Sequence, residues 1–141
     1  MSDKKPKIGV VGAGHLGRHH IKHLSNHKGV DFVGVFDINE DSLKNLCDEF
    51  SVKPLQSLEE LISSCEAVNI VTPTNTHFDI ARKFLNQKKD VFIEKPITNT
   101  VEEALALINL AKTNKCIVQV GHIERFNPTI NKLKELVDNP H

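Results

Sequence analysis

The sequence predicts a doubly wound α/β fold, a mainly parallel sheet with helices on both faces. Two observations point there. Short, almost wholly apolar runs recur along the chain, and amphipathic or capped stretches of helical character separate them. Strands that are apolar on both faces need cover on both faces, and helical crossovers supply it.

The elements follow in order. Lys7-Ile8-Gly9-Val10-Val11 is the first strand, and the segment from about His15 to Asn26 sets Leu16, His20, Ile21 and Leu24 on one helical face. Phe32 to Phe36 is the second strand, followed by a helix from about Glu40 to Phe50 and a short edge piece at Val52 and Pro54. Ser57-Leu58-Glu59-Glu60 reads as a capping box that opens a brief helix. Ala67 to Val71 is the next strand; Thr72-Pro73-Thr74 breaks it, and a helix runs from near Asn75 to Lys88. Val91-Phe92-Ile93 is a strand, Thr100 to Glu103 is a second capping box, Cys116 to Val120 is the last strand, and Pro128 to Val137 forms a final helix.

The first strand stops at Gly12-Ala13-Gly14-His15-Leu16-Gly17, with Asp37 twenty residues beyond the last glycine. Strand, glycine spacing, helix and distant acid in this order are the signature of a dinucleotide site. Gly12 permits the tight turn, Gly14 lets backbone approach a pyrophosphate, and Gly17 brings the helix against the sheet. The free N–H groups and the positive end of the helix dipole then face two phosphates. Gly12, Gly14, His15, Leu16 and Gly17 are thus candidate cofactor ligands. Asp37 can accept from both ribose hydroxyls and would repel a 2′-phosphate, so NAD is expected over NADP. The competing role for Asp37 is to cap the helix that begins near Glu40.

Composition narrows the partners. The chain has 141 residues, enough for one domain with its own core. Eighteen basic and eighteen acidic side chains balance, which gives no footprint for nucleic acid. No apolar stretch approaches the ~20 residues of a membrane span, so a cytoplasmic protein is expected. Cys47, Cys65 and Cys116 are odd in number and widely spaced, which suggests neither disulfides nor zinc, and all three are expected to be reduced. His15, His19, His23 and His27 recur every four residues, but their exposed face lacks carboxylates, and solvated side chains are expected rather than a metal site.

In a doubly wound sheet, ligands bind beyond the carboxyl ends of the strands. Thr72, Pro73 and Thr74 stand at one such end, either touching ribose and pyrophosphate or capping the next helix. His77, in that helix's first turn, is expected to face solvent. Glu94-Lys95-Pro96 follows another apolar strand, where a carboxylate, an ammonium and a proline suit a simple surface turn poorly.

Taken with Gly12-Ala13-Gly14-His15-Leu16-Gly17 and with Gly121-His122-Ile123-Glu124-Arg125-Phe126-Asn127-Pro128, Glu94-Lys95-Pro96 resembles the glucose-fructose oxidoreductase and inositol dehydrogenase family, Gfo/Idh/MocA. The last run looks especially like the family's nucleotide-sugar branch. The resemblance covers essentially the whole chain but only the first half of the family's architecture. It implies a Rossmann dinucleotide-binding domain over residues 1–121, with 122–141 beginning the connection to a C-terminal substrate domain that this sequence lacks. It further implies that Lys95 lies near the nicotinamide and the reacting hydroxyl, that Glu94 contacts the nicotinamide ribose, and that a cis bond before Pro96 aims the lysine.

The family's usual proton acceptor comes from the second domain. His122 is the nearest local candidate, although holding the loop or contacting cofactor suits it as well. Arg125 and Asn127 either bind the substrate's phosphate, carboxylate or amide groups, or serve the fold, Arg125 by pairing with Glu124 and Asn127 by capping the helix opened by Pro128. The resulting expectation is the NAD-binding domain of an oxidoreductase that takes hydride from a sugar or nucleotide-sugar hydroxyl, homo-oligomeric at full length. A non-catalytic NAD-sensing module and a reductase of conjugated or imine substrates are the alternatives.

Overall fold

A computed structural model of the chain describes residues 4–138. Its five strands are β1 (Lys7–Val11), β2 (Asp31–Phe36), β3 (Ala67–Ile70), β4 (Asp90–Ile93) and β5 (Val118–Val120). All neighbours pair in parallel, in the order β2-β1-β3-β4-β5. The helices are α1 (His15–Asn26), α2 (Glu40–Phe50), α3 (Leu58–Ser64), α4 (Thr74–Asn86), α5 (Val101–Asn114) and α6 (Pro128–Asp138), with a 3-10 turn at Ile123–Phe126. The doubly wound reading therefore holds. Chain direction across the sheet reverses at β1, between β2 and β3, and the crevice at that reversal is where such sheets bind ligands.

Each face of the sheet carries its own core. Val10, Ile21, Val35, Leu43 and Leu46 pack together where α1 and α2 meet the strands. The larger cluster holds Leu61, Ile70, Phe84, Leu85, Ile93 and Leu107, all fully buried, and joins α3, α4 and α5 to the strands. Val52 and Pro54 yield only a single bridge, from Val35 to Pro54, in place of an edge strand. Strand and helix ends shift by one or two residues: β3 ends at Ile70 and β5 begins at Val118, where Asp90 rather than a strand partner accepts from the Ile117 N–H at 2.8 Å.

Leu16 departs from the amphipathic expectation. It is 49 % exposed in the first turn of α1, whereas Ile21 on the same helix is fully buried. The Thr100–Glu103 capping box forms completely. At Ser57 only half of the box forms, with the Glu60 N–H donating to Ser57 Oγ at 3.0 Å. The Glu60 carboxylate turns instead to the Lys53 ammonium and the Gln56 N–H, both at 2.8 Å, and these hold its pKa below the usual carboxylate range. Among the described residues no helix is long and apolar enough to cross a membrane.

Cys47, Cys65 and Cys116 are free thiols. Burial raises the pKa of all three, that of Cys65 to about 11 against a weaker opposing pull from Lys89. The thiolate is the reactive form, and a raised pKa thins its population at any lower pH. With an aromatic disulfide reagent at pH 8, partly exposed Cys116 is expected to react first and Cys65 only after unfolding. Labelling of Cys65 in the folded chain at the rate of a free thiol would contradict this.

Candidate cofactor site

The turn after β1 is shaped by backbone collisions that only glycine avoids. Gly12 takes φ +108°, and a Cβ there would stand 2.7 Å from the Val71 carbonyl oxygen. A Cβ on Gly17 would stand 2.1 Å from the Gly12 carbonyl oxygen, so α1 can cross its own entry turn only without a side chain at this point. Gly14 is different: nothing lies within 4 Å of its would-be Cβ, and the space above it is open. Gly14 is also the N-cap of α1; no side chain caps the helix and its first turn carries no acid. The first N–H groups of α1 and its positive dipole end are left to a ligand.

Asp37 follows β2 and reaches back to this turn. Its carboxylate accepts from the Ala13 N–H at 2.5 Å and from the Asn39 N–H at 2.7 Å. It does not cap α2; Asn39 does so, accepting from the Ser42 N–H at 2.9 Å. Asp37 thus ties the end of β2 to the glycine turn, with further lone pairs on both oxygens.

A cavity of about 750 Å³ opens beside these groups. Val11, Gly12, Gly14 and Asp37 form one wall, and Ile38, Gln56, Ser57 and Leu58 line the side beyond β2. Thr72, Pro73, Asn75, Thr76 and Ile80 close it from the start of α4. Neither Thr72 nor Thr74 caps α4, whose N-cap position is Pro73 without a side-chain bond. Thr76 Oγ1 instead lies 2.7 Å from both Thr72 Oγ1 and the Pro73 carbonyl oxygen, bracing the turn.

Glu94-Lys95-Pro96 stands at the end of β4, with a cis Lys95–Pro96 bond. Lys95 is exposed, and Glu94 is only 8 % exposed. Glu94 Oε1 lies 3.1 Å from His20 Nε2, and Oε2 accepts from the Lys95 N–H at 3.1 Å. His77 does not face solvent. It is 1 % exposed, its Nδ1 3.0 Å from the Pro96 carbonyl oxygen and its Nε2 2.8 Å from that of Thr72. The ring thus stands between two backbone carbonyls, donating to one of them through its N–H, and bridges the turn after β3 to the turn after β4.

His122 and Arg125 are exposed beyond β5. Asn127 holds the local fold together, since its Oδ1 accepts from the Thr129 N–H at 3.0 Å at the start of α6 and its amide donates to Glu124 at 2.8 Å. The Arg125–Glu124 ion pair, one of the two roles open to Arg125, is not among those formed by the described residues. His15, His19, His23 and His27 all lie exposed along α1, with the rings of His15 and His19 edge to face at 5.2 Å.

Gln56, Ser57 and Ile80 of the cavity, the part-buried His20 and Asn69, and the buried His77 were not singled out for the site by sequence. A signal existed for His20, a polar residue on the face of α1 that carries Ile21 and Leu24 toward the sheet.

Residues 6–122 match the oxidoreductase family of NAD-binding Rossmann fold, GFO_IDH_MocA. UDP-N-acetylglucosamine 3-dehydrogenase of Acidithiobacillus ferrooxidans is 36 % identical over 129 residues, which cover 92 % of this chain and 41 % of that protein. Its solved structure superposes with a TM-score of 0.87, covering 94 % of this chain and 42 % of that one. Glucose-6-phosphate 3-dehydrogenase of Bacillus subtilis is 32 % identical, with 94 % and 38 % covered. GenD2 from gentamicin A biosynthesis, solved in complex with NAD, is 25 % identical with a TM-score of 0.90, over 96 % of this chain and 40 % of that one. The chain spans about two fifths of the length of these relatives. With its glycine turn, parallel sheet and crevice at the strand ends, the chain belongs to the Gfo/Idh/MocA oxidoreductase family as an NAD-binding Rossmann domain.

Proposed function

We propose that the chain is the cofactor half of an enzyme that moves a hydride between NAD and a secondary hydroxyl of a sugar or nucleotide sugar. The observation that carries this is the exposed Lys95 ammonium beside a buried carboxylate at the end of β4, in the same row of strand ends as the glycine turn. The dehydrogenases named among the relatives supply the substrate class.

The residues present fit a dinucleotide. Uncapped donors of α1 and the open space over Gly14 suit a pyrophosphate, and Asp37 suits two ribose hydroxyls. NAD supplies the hydride acceptor when bound. His15 and Leu16, exposed at the first turn, flank the pyrophosphate, and Thr72 and Pro73 form the floor toward β3. Pro73 and Thr74, at the head of α4, keep the turn where the cofactor crosses the sheet. Lys95 holds a fixed positive charge at the substrate oxygen, favouring alkoxide character as hydride leaves the carbon. His122 is the local candidate to take the hydroxyl proton, with Arg125 and Asn127 on the substrate side of the same edge. The parent enzyme is expected to be a cytoplasmic homo-oligomer whose second domain, after residues 122–141, supplies most substrate contacts.

The preference for NAD rests on Asp37. A carboxylate aimed at the ribose repels a 2′-phosphate, whereas charge-assisted hydrogen bonds to hydroxyls contribute about 1.5–3 kcal/mol. Calorimetry on the chain is expected to show NAD binding that weakens about tenfold or more in Asp37→Ala. Asp37→Asn, which keeps the shape and removes the charge, is expected to narrow the gap between NAD and NADP. Equal or tighter binding of NADP by the native chain would sink the assignment.

A further inference from the structure

Resting on Lys95 as the charge at the substrate oxygen, we infer that His20 is a positioning residue that keeps the Glu94 carboxylate inside the fold and so prevents it from pairing with the neighbouring Lys95 ammonium. Lys95 is exposed and no carboxylate among the described residues lies in ion-pair range of it, although glutamate precedes it directly in sequence. An acid and a base side by side at a solvent-facing turn ordinarily find each other. Here the acid is held elsewhere.

The hold has a defined direction. The Asn69 side-chain nitrogen lies 3.0 Å from His20 Nδ1 and, as an amide N–H, donates to it. Nδ1 is then the bare nitrogen, so Nε2 carries the hydrogen and donates to Glu94 Oε1 at 3.1 Å. Asn69 on β3 thus sets the tautomer of a ring on α1, and that ring holds a carboxylate at the end of β4. The Phe92 ring packs against the imidazole at 5.4 Å between centroids. Gly121 leaves room on the far side, since a Cβ there would stand 3.1 Å from both Glu94 oxygens. A buried carboxylate that loses its side-chain donor and keeps only the Lys95 N–H carries an added desolvation penalty, and turning outward to the adjacent cation relieves it. Without His20, Glu94 therefore competes with substrate for Lys95.

The test is competitive labelling of lysines with light and heavy acetic anhydride at pH 8 on the whole chain without cofactor, reading Lys95 by mass spectrometry. Only the free amine reacts, so an ion-paired Lys95 reacts more slowly. His20→Phe, which keeps the ring stack and loses the donor, is expected to slow Lys95 by at least about threefold. His20→Gln, whose amide can donate to Glu94 and accept from Asn69, is expected to restore the native rate, as is Glu94→Gln in the His20→Phe background. A native or faster Lys95 rate in folded His20→Phe overturns the inference. If that variant does not fold, the ring nitrogens of native His20 decide by heteronuclear NMR: a protonated Nε2 with bare Nδ1 supports it, and the opposite tautomer overturns it. Repeating the native labelling with NAD addresses the underlying reading separately. Protection of Lys95 by NAD supports its place at the cofactor, and loss of that protection counts against the proposed function while leaving the His20 comparison intact.

Discussion

Gly17→Ala is expected to lower the melting temperature by about 10 °C and to remove measurable dinucleotide binding, while Gly14→Ala leaves the melting temperature within about 2 °C and still weakens binding at least about tenfold. The contrast follows from what each new methyl group meets. At position 17 it collides with the Gly12 carbonyl, a backbone atom in a turn that is itself pressed against Val71, so neither partner can rotate away. Overpacking of this kind costs about 3 kcal/mol, the upper end for added methylenes, and moves α1 off the turn whose donors the cofactor needs. At position 14 the methyl enters open space, the space proposed above for a pyrophosphate. Thermal unfolding followed by circular dichroism, with calorimetry against NAD, separates the two. Equal losses of stability in both variants would show that the glycine at 14 serves the fold and not a ligand.

Lys95→Ala, placed in the full-length dehydrogenase proposed above, is expected to reduce turnover by about 10²–10³-fold with NAD affinity within about threefold of native. The Lys95 side chain is exposed and forms no ion pair with the described residues, so its removal is expected to leave the strand end intact while the charge proposed at the developing alkoxide is lost. Lys95→Arg, which keeps the charge with a different reach, is expected to retain part of the rate. Steady-state kinetics with the sugar substrate, paired with fluorescence titration of the nicotinamide cofactor, provides the measurement. Unchanged turnover in Lys95→Ala would remove the lysine from the reaction.

The fold and family were legible because their signals are local. Continuous apolar runs, the glycine spacing and the Thr100 capping box each lie within a dozen residues, and the structure and the family match agree with them. The polar interior was much less legible. His20 finds its partners 49 and 74 residues away, and His77 reaches a carbonyl 19 residues on, so neither role is encoded in flanking sequence. The Asp37 ambiguity had a similar origin: two acceptors, Asp37 and Asn39, precede α2, and only the return of the chain to Ala13 decides which one caps it. Glu60 left Ser57 half-boxed because Lys53 and Gln56 offered better donors. The strand ends, by contrast, missed only by the residue or two over which ladders fray.

The Asp37 contact with the Ala13 N–H means that the carboxylate proposed above to choose between cofactors is also a latch on the glycine turn. An engineer seeking an NADP-dependent version by exchanging this acid would also remove one of the ties between the glycine turn and β2, leaving the Gly12 N–H bonded to the Phe36 carbonyl at 2.9 Å. If Asp37 sets the proposed cofactor preference, preference and loop rigidity are inherited together, and a switch of cofactor is expected to improve with a second substitution that gives the Ala13 N–H a new acceptor.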